Sequence, residues 1–561
     1  MDKIGGGILR EKRIPVMIAI GLIIILIMAF IGWEVAQRYI PSKEPADLAQ
    51  VLGVSGEETA IFLNEEIQEA TGITREGQTY LPLKWVNSYL NEKFYWDNVE
   101  KLLVYTLPDS VVYADKRTAG STGMPLLLAE GDEIYLSMAL VNNYTAVDIK
   151  NYSDGEHKRV YMDNRWQTMQ WGSTAKTAAV RVEGNIKSPV LTYVEKGREF
   201  VILEQSKDWS KVRTEDGFTG YMKNNAVRAM EMRENPCTIK LPEYTNIAME
   251  EKVCLAWHQV THEDANSAME QLIANTKGVN VIAPTWFALT DNNGSYHSYA
   301  DRSYVDKAHE RGMQVWAVLD NFNMGENVNS EILFAQTSVR KKLIANLMED
   351  VKTYDLDGIN LDIEGIKPSA GPHYVQFIRE LSVSCRKEQV VLSIDNYVPA
   401  GHNFFYNRAE QGRVADYVIV MGYDEHYAGG EAGSVASYSY VKDGIENTLK
   451  DVPHEKIINA VPFYTRVWTE KDGKTTSSAL GIEGAKKWIE ENDVELYWQE
   501  PLGQYYGELQ TEEGLKQIWM EEETSLGLKM DLIKKYDLAG VGCWKLGFEP
   551  ASIWDIVKVN E

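Results

Sequence analysis

The sequence predicts an α/β protein whose largest part is a (β/α)8 TIM barrel, preceded by a transmembrane anchor, an α+β repeat domain and a small β-barrel. Three observations predict this order. The chain has 561 residues, which is too long for one hydrophobic core. An uncharged apolar run lies near its start, and eight apolar strand-like runs alternate with helical patterns over its second half.

Residues 1–34 are interpreted as a cytosolic tail and a membrane anchor. The uncharged run from Ile14 to Trp33 is long enough to cross a bilayer, which needs about 20 apolar residues. Basic residues precede it, namely Lys3, Arg10, Lys12 and Arg13. The positive-inside tendency then places everything after Trp33 outside the cytoplasm. A cleaved signal peptide is the alternative, with residues 32–36 as a weak cleavage site.

A linker over residues 35–49 leads to a two-repeat α+β stalk over residues 50–168. Residues 80–89 return in altered form as residues 135–144, and a strand-like run follows each copy, at Lys101–Thr106 and Lys158–Met162. The first copy resembles the small domain that precedes copper amine oxidases and occurs in bacterial surface proteins. That resemblance implies a stalk or a wall-contact module and does not imply copper.

Residues 175–232 contain short β-rich runs separated by turn signals, such as Glu195-Lys196-Gly197 and Asp216-Gly217. The order of runs and turns resembles a bacterial SH3-like domain. The resemblance implies binding to wall peptides, and a simple spacer barrel is the alternative. A second linker over residues 233–250 follows.

Residues 251–561 carry the predicted barrel, with an insertion between strands 7 and 8. Eight strand–helix units in about 300 residues fit this fold, whose active site lies at the carboxyl ends of the strands. The eight runs are Val253–Trp257, Val279–Ala283, Gln314–Leu319, Gly358–Ile363, Val390–Ile394, Tyr417–Met421, Ile457–Val461 and Gly540–Trp544. Polar or aromatic residues follow most of them, including Asp320-Asn321 and Asp395-Asn396-Tyr397.

The fourth run, residues 357–364, is the most informative. Ile359, Leu361 and Ile363 point to one face, while Asn360, Asp362 and Glu364 point to the other. Unpaired buried polar groups cost several kcal/mol, and we expect that cost only where a cavity opens for chemistry. A solvated edge strand is the alternative.

The composition excludes several classes of function. The net charge of −25 disfavours nucleic acid and anionic membrane surfaces as partners. The four cysteines are scattered, and the nine histidines show no metal-ligand spacing. We therefore expect no metal and no organic cofactor. The sequence does not indicate an oligomeric state.

Four segments of the predicted barrel resemble the strand motifs of one enzyme family. Asp357-Gly358-x-x-x-Asp362-x-Glu364 resembles the fourth-strand signature of glycoside hydrolase family 18. Further segments resemble its sixth, seventh and eighth strands, namely Met421-x-Tyr423-Asp424, Pro462-Phe463-Tyr464 and Gly540–Trp544. Asn360 and Ile363 depart from the many chitinases that have Asp and Trp there. The Asn form is more similar to the branch that hydrolyses spore and cell-wall peptidoglycan.

The resemblance implies retaining, substrate-assisted hydrolysis, in which the sugar's own 2-acetamido oxygen attacks the anomeric carbon. Glu364 would be the general acid and then the base, Asp362 would orient the acetamide, and Tyr423 would donate a hydrogen bond to the acetamide oxygen. The expected substrate-binding residues are Asn360, Asp424, Met421, Trp544 and Trp286, with Asp357 as a supporting residue behind them. Core packing is the alternative for Tyr423, Trp544 and Trp286, and helix capping for Asp424.

Asn360 cannot accept a proton, so we expect Asp362 to depend more on hydrogen bonds and the pH optimum to differ from that of chitinases. The predicted activity is cleavage of β-1,4 bonds beside N-acetylglucosamine in peptidoglycan or a chitin-type polymer. Two alternatives remain open: a catalytically silent sugar-binding protein on the same barrel, and a wall-tethered adaptor.

Overall fold

The computed structural model describes residues 13–153, 155, 157–322 and 328–560. These residues form two compact units. One comprises the chain up to Glu92 together with Lys116–Leu241, and the other comprises Lys93–Asp115 together with Pro242–Glu561. The second unit therefore includes a segment from within the stretch that the sequence assigns to the stalk.

The first helix runs from Arg13 to Tyr39. Its segment Met17–Tyr39 has a mean hydropathy of 2.6 and is the one helix, among the described residues, that is long and apolar enough to cross a membrane. Lys3, Arg10 and Lys12, on which the predicted orientation rests, lie outside the described residues. The orientation stays a prediction.

A seven-stranded sheet forms the first part of the N-terminal unit. In spatial order its strands are Leu127–Glu130, Glu133–Ser137, Gln78–Pro82, Glu66–Arg75, Glu58–Leu63, Lys158–Asp163 and Asp148–Tyr152. The two sequence repeats each fold as a strand followed by a short helix, Leu83–Tyr89 or Met138–Tyr144. Their strands pair antiparallel, with Leu81 opposite Leu136, so the two copies share one sheet.

A second seven-stranded sheet follows in the same unit. In spatial order its strands are Val190–Val194, Ala178–Arg181, Thr219–Lys223, Trp209–Thr214, Glu199–Gln205, Met169–Thr174 and Val227–Arg233. Its small core contains Val180, Phe200, Val212 and Met222. The turns expected at Gly197 and Gly217 form there, since both glycines adopt a positive φ, 82° and 73°.

The C-terminal unit begins with a three-stranded antiparallel sheet, Tyr95–Asp97, Leu102–Thr106 and Val111–Ala114. This sheet packs on the helical layer of the barrel. The carboxylate of Asp97 accepts hydrogen bonds from the backbone N–H and the hydroxyl of Thr337, at 2.7 and 2.6 Å. The run at Lys101–Thr106 therefore belongs with the barrel, whereas the run at Lys158–Met162 joins the seven-stranded sheet.

Eight parallel strands close into the predicted barrel. They are β1 (Val253–His258), β2 (Val281–Pro284), β3 (Gln314–Asp320), β4 (Gly358–Asp362), β5 (Val391–Tyr397), β6 (Tyr417–Met421), β7 (Ile457–Pro462) and β8 (Gly540–Trp544). Each strand pairs with the next, and β8 pairs with β1 to complete the ring. All eight predicted runs are strands, with ends shifted by at most a few residues.

Helices cover the outside of the barrel. They are Met269–Ile273, Arg302–Glu310, Ser330–Ala335, Thr337–Tyr354, Gly371–Glu388, Arg408–Val414, Tyr438–Thr448 and Glu523–Lys535. The apolar residues of β4 face this layer, and Ile359, Leu361 and Ile363 are fully buried. Asn360 points inward instead, since it contacts Trp257 of β1 across the barrel. The alternation read from the sequence therefore places the polar face of β4 inside.

Between β7 and β8 the chain forms a separate antiparallel sheet. Its strands, in spatial order, are Lys474–Gly481, Tyr464–Lys471, Gly514–Trp519, Gln504–Thr511 and Leu496–Gln499. Helix Ile482–Glu491 packs on it around a core of Val467, Ala485, Ile518 and Met520. This subdomain starts at the end of β7 and so at the same rim as the other strand ends.

Candidate active site

A cavity of about 530 Å3 lies at the carboxyl ends of the barrel strands. Six strands or the loops after them line it, because parallel strands in a closed barrel all end at the same rim. The lining residues are Gln259, Val260, Thr261, Thr285, Ala288, Tyr299, Asp320, Phe322, Asp362, Glu364, Met421, Tyr423, Asp424 and Trp544. Six of the residues predicted from sequence are among them.

Asp362 and Glu364 are the central pair. They stand two residues apart on β4 and its end, and each carboxyl affects the pKa of the other. Asp362 is buried, whereas Glu364 is partly exposed at the mouth. Within the part of the chain that the structure describes, Oδ1 of Asp362 has no hydrogen-bond partner. A buried carboxylate oxygen without a donor is costly, and it is available to a ligand that carries an N–H group.

Two more carboxyl groups lie beside Asp362, one on each neighbouring strand. Asp320 of β3 is its register partner. On the other side Leu361 pairs with Ile394, so Asp395 of β5 lies beside Asp362. Burial raises the pKa of Asp362 well above its ordinary value, and Asp395, Glu364 and Asp320 raise it further. Burial raises the pKa of Asp320 to about 6.

Two neighbours hold Glu364 in place. Asn321, directly after β3, donates to the backbone carbonyl of Glu364 at 2.8 Å and accepts from its N–H at 2.9 Å. The hydroxyl of Tyr397 accepts from the N–H of Gly365 at 3.1 Å, which places it beside the Glu364 carboxyl. Burial raises the pKa of Glu364, a shift that the neighbouring side chains of Tyr397 and Asp362 oppose and the charge of Asp424 reinforces. The carboxyl is therefore biased toward its protonated form.

Tyr423 and Asp424 follow β6. The Tyr423 ring is buried beside the carboxyl cluster, and burial together with Asp395 and Asp362 raises the pKa of its hydroxyl. Tyr423 therefore stays a hydrogen-bond donor at neutral pH. Asp424 has a φ of 57°, a left-handed conformation that Asp adopts more readily than most residues, and its carboxylate accepts a hydrogen bond from Tyr464.

Trp544 ends β8 and forms an aromatic wall of the cavity. It is partly exposed and meets Trp257 edge-on, with ring centroids 6.0 Å apart. Met421 ends β6 on the same cavity. An apolar wall opposite polar groups suits a sugar ring, whose C–H face stacks on aromatic surfaces.

Three predicted site residues do not reach the cavity. Trp286 is fully buried and donates its indole N–H to Asn266 at 2.8 Å, so it is a core residue. Asp357 lies before β4, at the opposite end of the barrel, where it accepts from the backbone N–H of Val315 and contacts His309. Asn360 is fully buried below the cavity. Trp286 and Asn360 therefore do not line the sugar site as expected, and Asp357, expected to support the site from behind, lies at the far end of the barrel instead.

Sequence reasoning noted the polar ends of β3 and β5 but assigned no roles to Asp320, Asn321, Asp395 and Tyr397. The sequence did indicate these residues, because polar residues lie directly at the ends of the buried runs that form β3 and β5. What the sequence could not give is the register that brings them to Asp362 and Glu364. Among the described residues, no group of three or more His, Cys, Asp or Glu side chains is arranged to hold a metal ion.

Comparison with known proteins agrees with this geometry. Residues 256–549, more than half of the chain, match the model of the glycosyl hydrolases family 18, and residues 176–228 match that of a bacterial SH3 domain. The uncharacterized glycosylase YvbX of Bacillus subtilis (strain 168) is 28% identical over 294 residues, which are 50% of this chain and 84% of that protein.

Two further similarities are informative. The cortical fragment-lytic enzyme of Bacillus subtilis (strain 168) is 25% identical over 262 residues, 45% of this chain and 61% of that enzyme, so the match spans less than two thirds of its length. The crystal structure of a chitinase from Chromobacterium violaceum ATCC 12472 superposes with a TM-score of 0.50 at 21% identity, over 55% of this chain and 98% of that one. This last likeness concerns the fold alone.

Proposed function

The chain belongs to glycoside hydrolase family 18, and from that premise we propose that it is a membrane-anchored, extracytoplasmic enzyme that cleaves β-1,4 bonds beside N-acetylglucosamine in peptidoglycan. The observation that carries the proposal is the pair of Asp362 and Glu364 at the cavity mouth. One carboxyl is accessible and biased toward protonation, and the other is buried with an oxygen that lacks a donor among the described residues.

Glu364 acts as the general acid in this proposal. Its raised pKa supports a protonated carboxyl that donates to the leaving glycosidic oxygen. After the bond breaks, the same carboxylate accepts a proton from water and returns to its starting state. Asn321 fixes the backbone of Glu364 and Tyr397 its carboxyl, which supports the orientation that proton transfer requires.

The substrate's 2-acetamido group supplies the nucleophile. Its N–H meets Oδ1 of Asp362, which has no donor among the described residues, and its oxygen accepts from the Tyr423 hydroxyl while it attacks the anomeric carbon. A positive oxazolinium-like intermediate forms, and the Asp362 carboxylate stabilises that charge. The mechanism therefore needs one general acid and one anion, and no carboxylate nucleophile from the enzyme.

The remaining cavity residues hold the sugar. Trp544 provides the apolar floor, and Met421 lines the same cavity. Asp424 is fixed by Tyr464 and accepts hydrogen bonds from the sugar hydroxyls or from its acetamide. This division of an apolar face and a few fixed polar groups is typical of carbohydrate sites.

Peptidoglycan stands ahead of chitin for two reasons. A relative over the barrel is named a cortical fragment-lytic enzyme, and the chain carries a bacterial SH3 domain of the kind that the sequence predicts to contact the wall. The apolar helix up to Tyr39 supports a membrane anchor that keeps the barrel near the wall. A chitin-type polymer is the alternative substrate.

The test measures release of reducing ends from purified peptidoglycan by the wild-type chain and by Glu364→Gln. We expect kcat to fall by about 10²–10⁴-fold in the variant, as for loss of a general acid. Glu263→Gln, the same change at an exposed position, is the matched control and keeps wild-type activity. If wild type and Glu364→Gln behave alike, the enzymatic proposal fails.

Mass spectrometry of the products from vegetative peptidoglycan, spore cortex and chitin then identifies the substrate. Cleavage of chitin alone would contradict the wall assignment. Binding of these polymers without cleavage by any form would support the silent sugar-binding alternative.

A further inference from the structure

Asp395 is a buried carboxyl that the mechanism above does not use. It lies on β5 beside Asp362, and the residue is 3% exposed. Its Oδ1 accepts a hydrogen bond from Nδ2 of Asn360 at 2.9 Å. A carboxyl at this depth beside the reacting anion affects the charge state of Asp362.

The orientation of the Asn360 amide follows from its neighbours. The indole N–H of Trp257 can only donate, so the atom 3.0 Å from it is the Asn360 oxygen. The NH2 group then donates to Ser393 Oγ at 3.0 Å and to Asp395. Oδ1 of Asp395 is therefore an acceptor, and a proton on Asp395 resides on Oδ2. Asn360 itself has no proton-accepting capacity.

Among the residues that the structure describes, the groups that face Asp395 include no cation. Asp362 and Glu364 face it from β4, Tyr423 from the end of β6, and Tyr374 from helix Gly371–Glu388. Burial raises the pKa of Asp395 to about 8, although the Asn360 hydrogen bond opposes the shift. Two adjacent buried carboxyls do not ionise together, so Asp362 and Asp395 keep at least one proton between them at neutral pH, and the reactive form of the pair is the one with a single proton.

We propose that Asp395 is a positioning residue that accepts the proton of Asp362 when Asp362 must carry negative charge beside the reacting acetamide, a role that rests on the proposed function. The O–H bond of Asp362 breaks and an O–H bond forms on Oδ2 of Asp395. The pair keeps one proton and one negative charge throughout, and the proton returns when the product leaves. Asp395 of β5 thus supplies the carboxyl partner of Asp362 that β4 does not provide, because residue 360 is Asn.

The first test is the pH profile of kcat for Asp395→Asn. The amide has the same shape but cannot accept the proton, so Asp362 becomes an anion only when the pH exceeds its own raised pKa. We expect the acid limb to move up by about one pH unit or more, so that kcat below the limb falls about tenfold while KM is unchanged. An unchanged profile would overturn the proposal.

The second test moves the carboxyl from β5 to β4. The double variant Asn360→Asp/Asp395→Asn restores a proton acceptor beside Asp362, and we expect its acid limb to return toward that of wild type. A purely structural role for Asp395 predicts no such rescue. Failure of the double variant to restore the limb, with a wild-type melting temperature, would contradict proton sharing.

A third measurement requires no turnover. In Glu364→Gln the carboxyl of the general acid is absent. We expect this variant to show, at pH 7, the infrared carbonyl band of a protonated buried carboxyl, and we expect that band to shift in D2O. Absence of this band would refute a shared proton. Inactive wild type with the band present would refute the proposed function instead, so the two failures are distinguishable.

Discussion

Two sets of buried carboxyls in the barrel differ in their partners. In the helical layer, Glu410 accepts from Arg379 at 2.8 Å and also contacts Arg413 and Lys93, so the cations offset burial and its pKa is lowered. At the mouth, Asp362 and Asp395 have other carboxyls as their neighbours, and both pKa values are raised. The buried carboxylate that stabilises the fold is paired with cations. The buried carboxyls of the cavity are surrounded by other carboxyls, so their charge depends on whether they bind a proton.

Arg379→Met gives the largest expected effect on stability. This substitution removes the guanidinium charge and keeps an unbranched apolar side chain, so Glu410 loses its closest buried partner. Breaking a buried ion pair costs about 3–5 kcal/mol, and we expect this loss in the free energy of unfolding of the barrel in urea. The kcat per folded molecule stays at the wild-type value. A variant as stable as wild type would show that the pairing does not distinguish the two sets.

Asp362→Asn is expected to lower activity without lowering stability, the opposite of Arg379→Met. We expect kcat to fall about 10²–10³-fold, the range found when one group that stabilises transition-state charge is lost. The free energy of unfolding at pH 8 should not fall, because an amide removes one buried acid from a crowded cluster. Kinetics and urea unfolding of the same preparation measure both. A large loss of stability would place Asp362 with the structural carboxyls.

Asn321→Ala gives a smaller expected effect. It removes two hydrogen bonds to the backbone of Glu364, each worth about 0.5–1.5 kcal/mol, so kcat should fall about tenfold with little change in KM. Asn266→Ala is the matched control, since Asn266 holds the core residue Trp286. We expect that variant to melt at a lower temperature and to keep its kcat. Equal kcat values for the two variants would remove Asn321 from the positioning of the acid.

The pH dependence of stability gives the most specific difference between the two sets. Asp395 has a folded-state pKa of about 8, above its ordinary 3.8, so its contribution is complete below about pH 4 and is lost as the pH rises through 8. Glu410, with a lowered pKa, contributes above its ordinary 4.5 and loses that contribution as the pH falls. Urea unfolding between about pH 2 and about pH 9 should show a flatter decline above about pH 4 in Asp395→Asn and a flatter acid slope in Glu410→Gln.

The sequence predicted the barrel well because each strand is a buried apolar run with polar residues directly after it. The resemblances to glycoside hydrolase family 18 and to a bacterial SH3 domain are both confirmed. Trp286 was wrongly placed at the cavity, because a tryptophan after a strand end reads the same whether it faces the sugar or the core. The domain boundaries and the stalk resemblance stay predictions.

Asp395 was not recognised because its importance depends on register. Nothing in the run Val391–Tyr397 shows that its fifth residue lies beside Asp362 of β4, since that follows from the stagger of neighbouring strands. The same holds for Asn321, whose two bonds to Glu364 join β3 to β4. Local patterns predict which residues face inward, and only the pairing of strands determines which of them meet.

The sheet formed by Tyr95–Ala114 has a practical consequence for anyone who isolates the enzyme. Its Asp97 caps the helix that starts at Thr337, and Arg386 donates to the carbonyl of Pro108 at 2.8 Å. A fragment that starts at residue 251, the start of the barrel predicted from the sequence, leaves those partners in water. Crystallisation and assay samples should therefore retain the chain from Lys93 onward, so that the catalytic body keeps its own early segment.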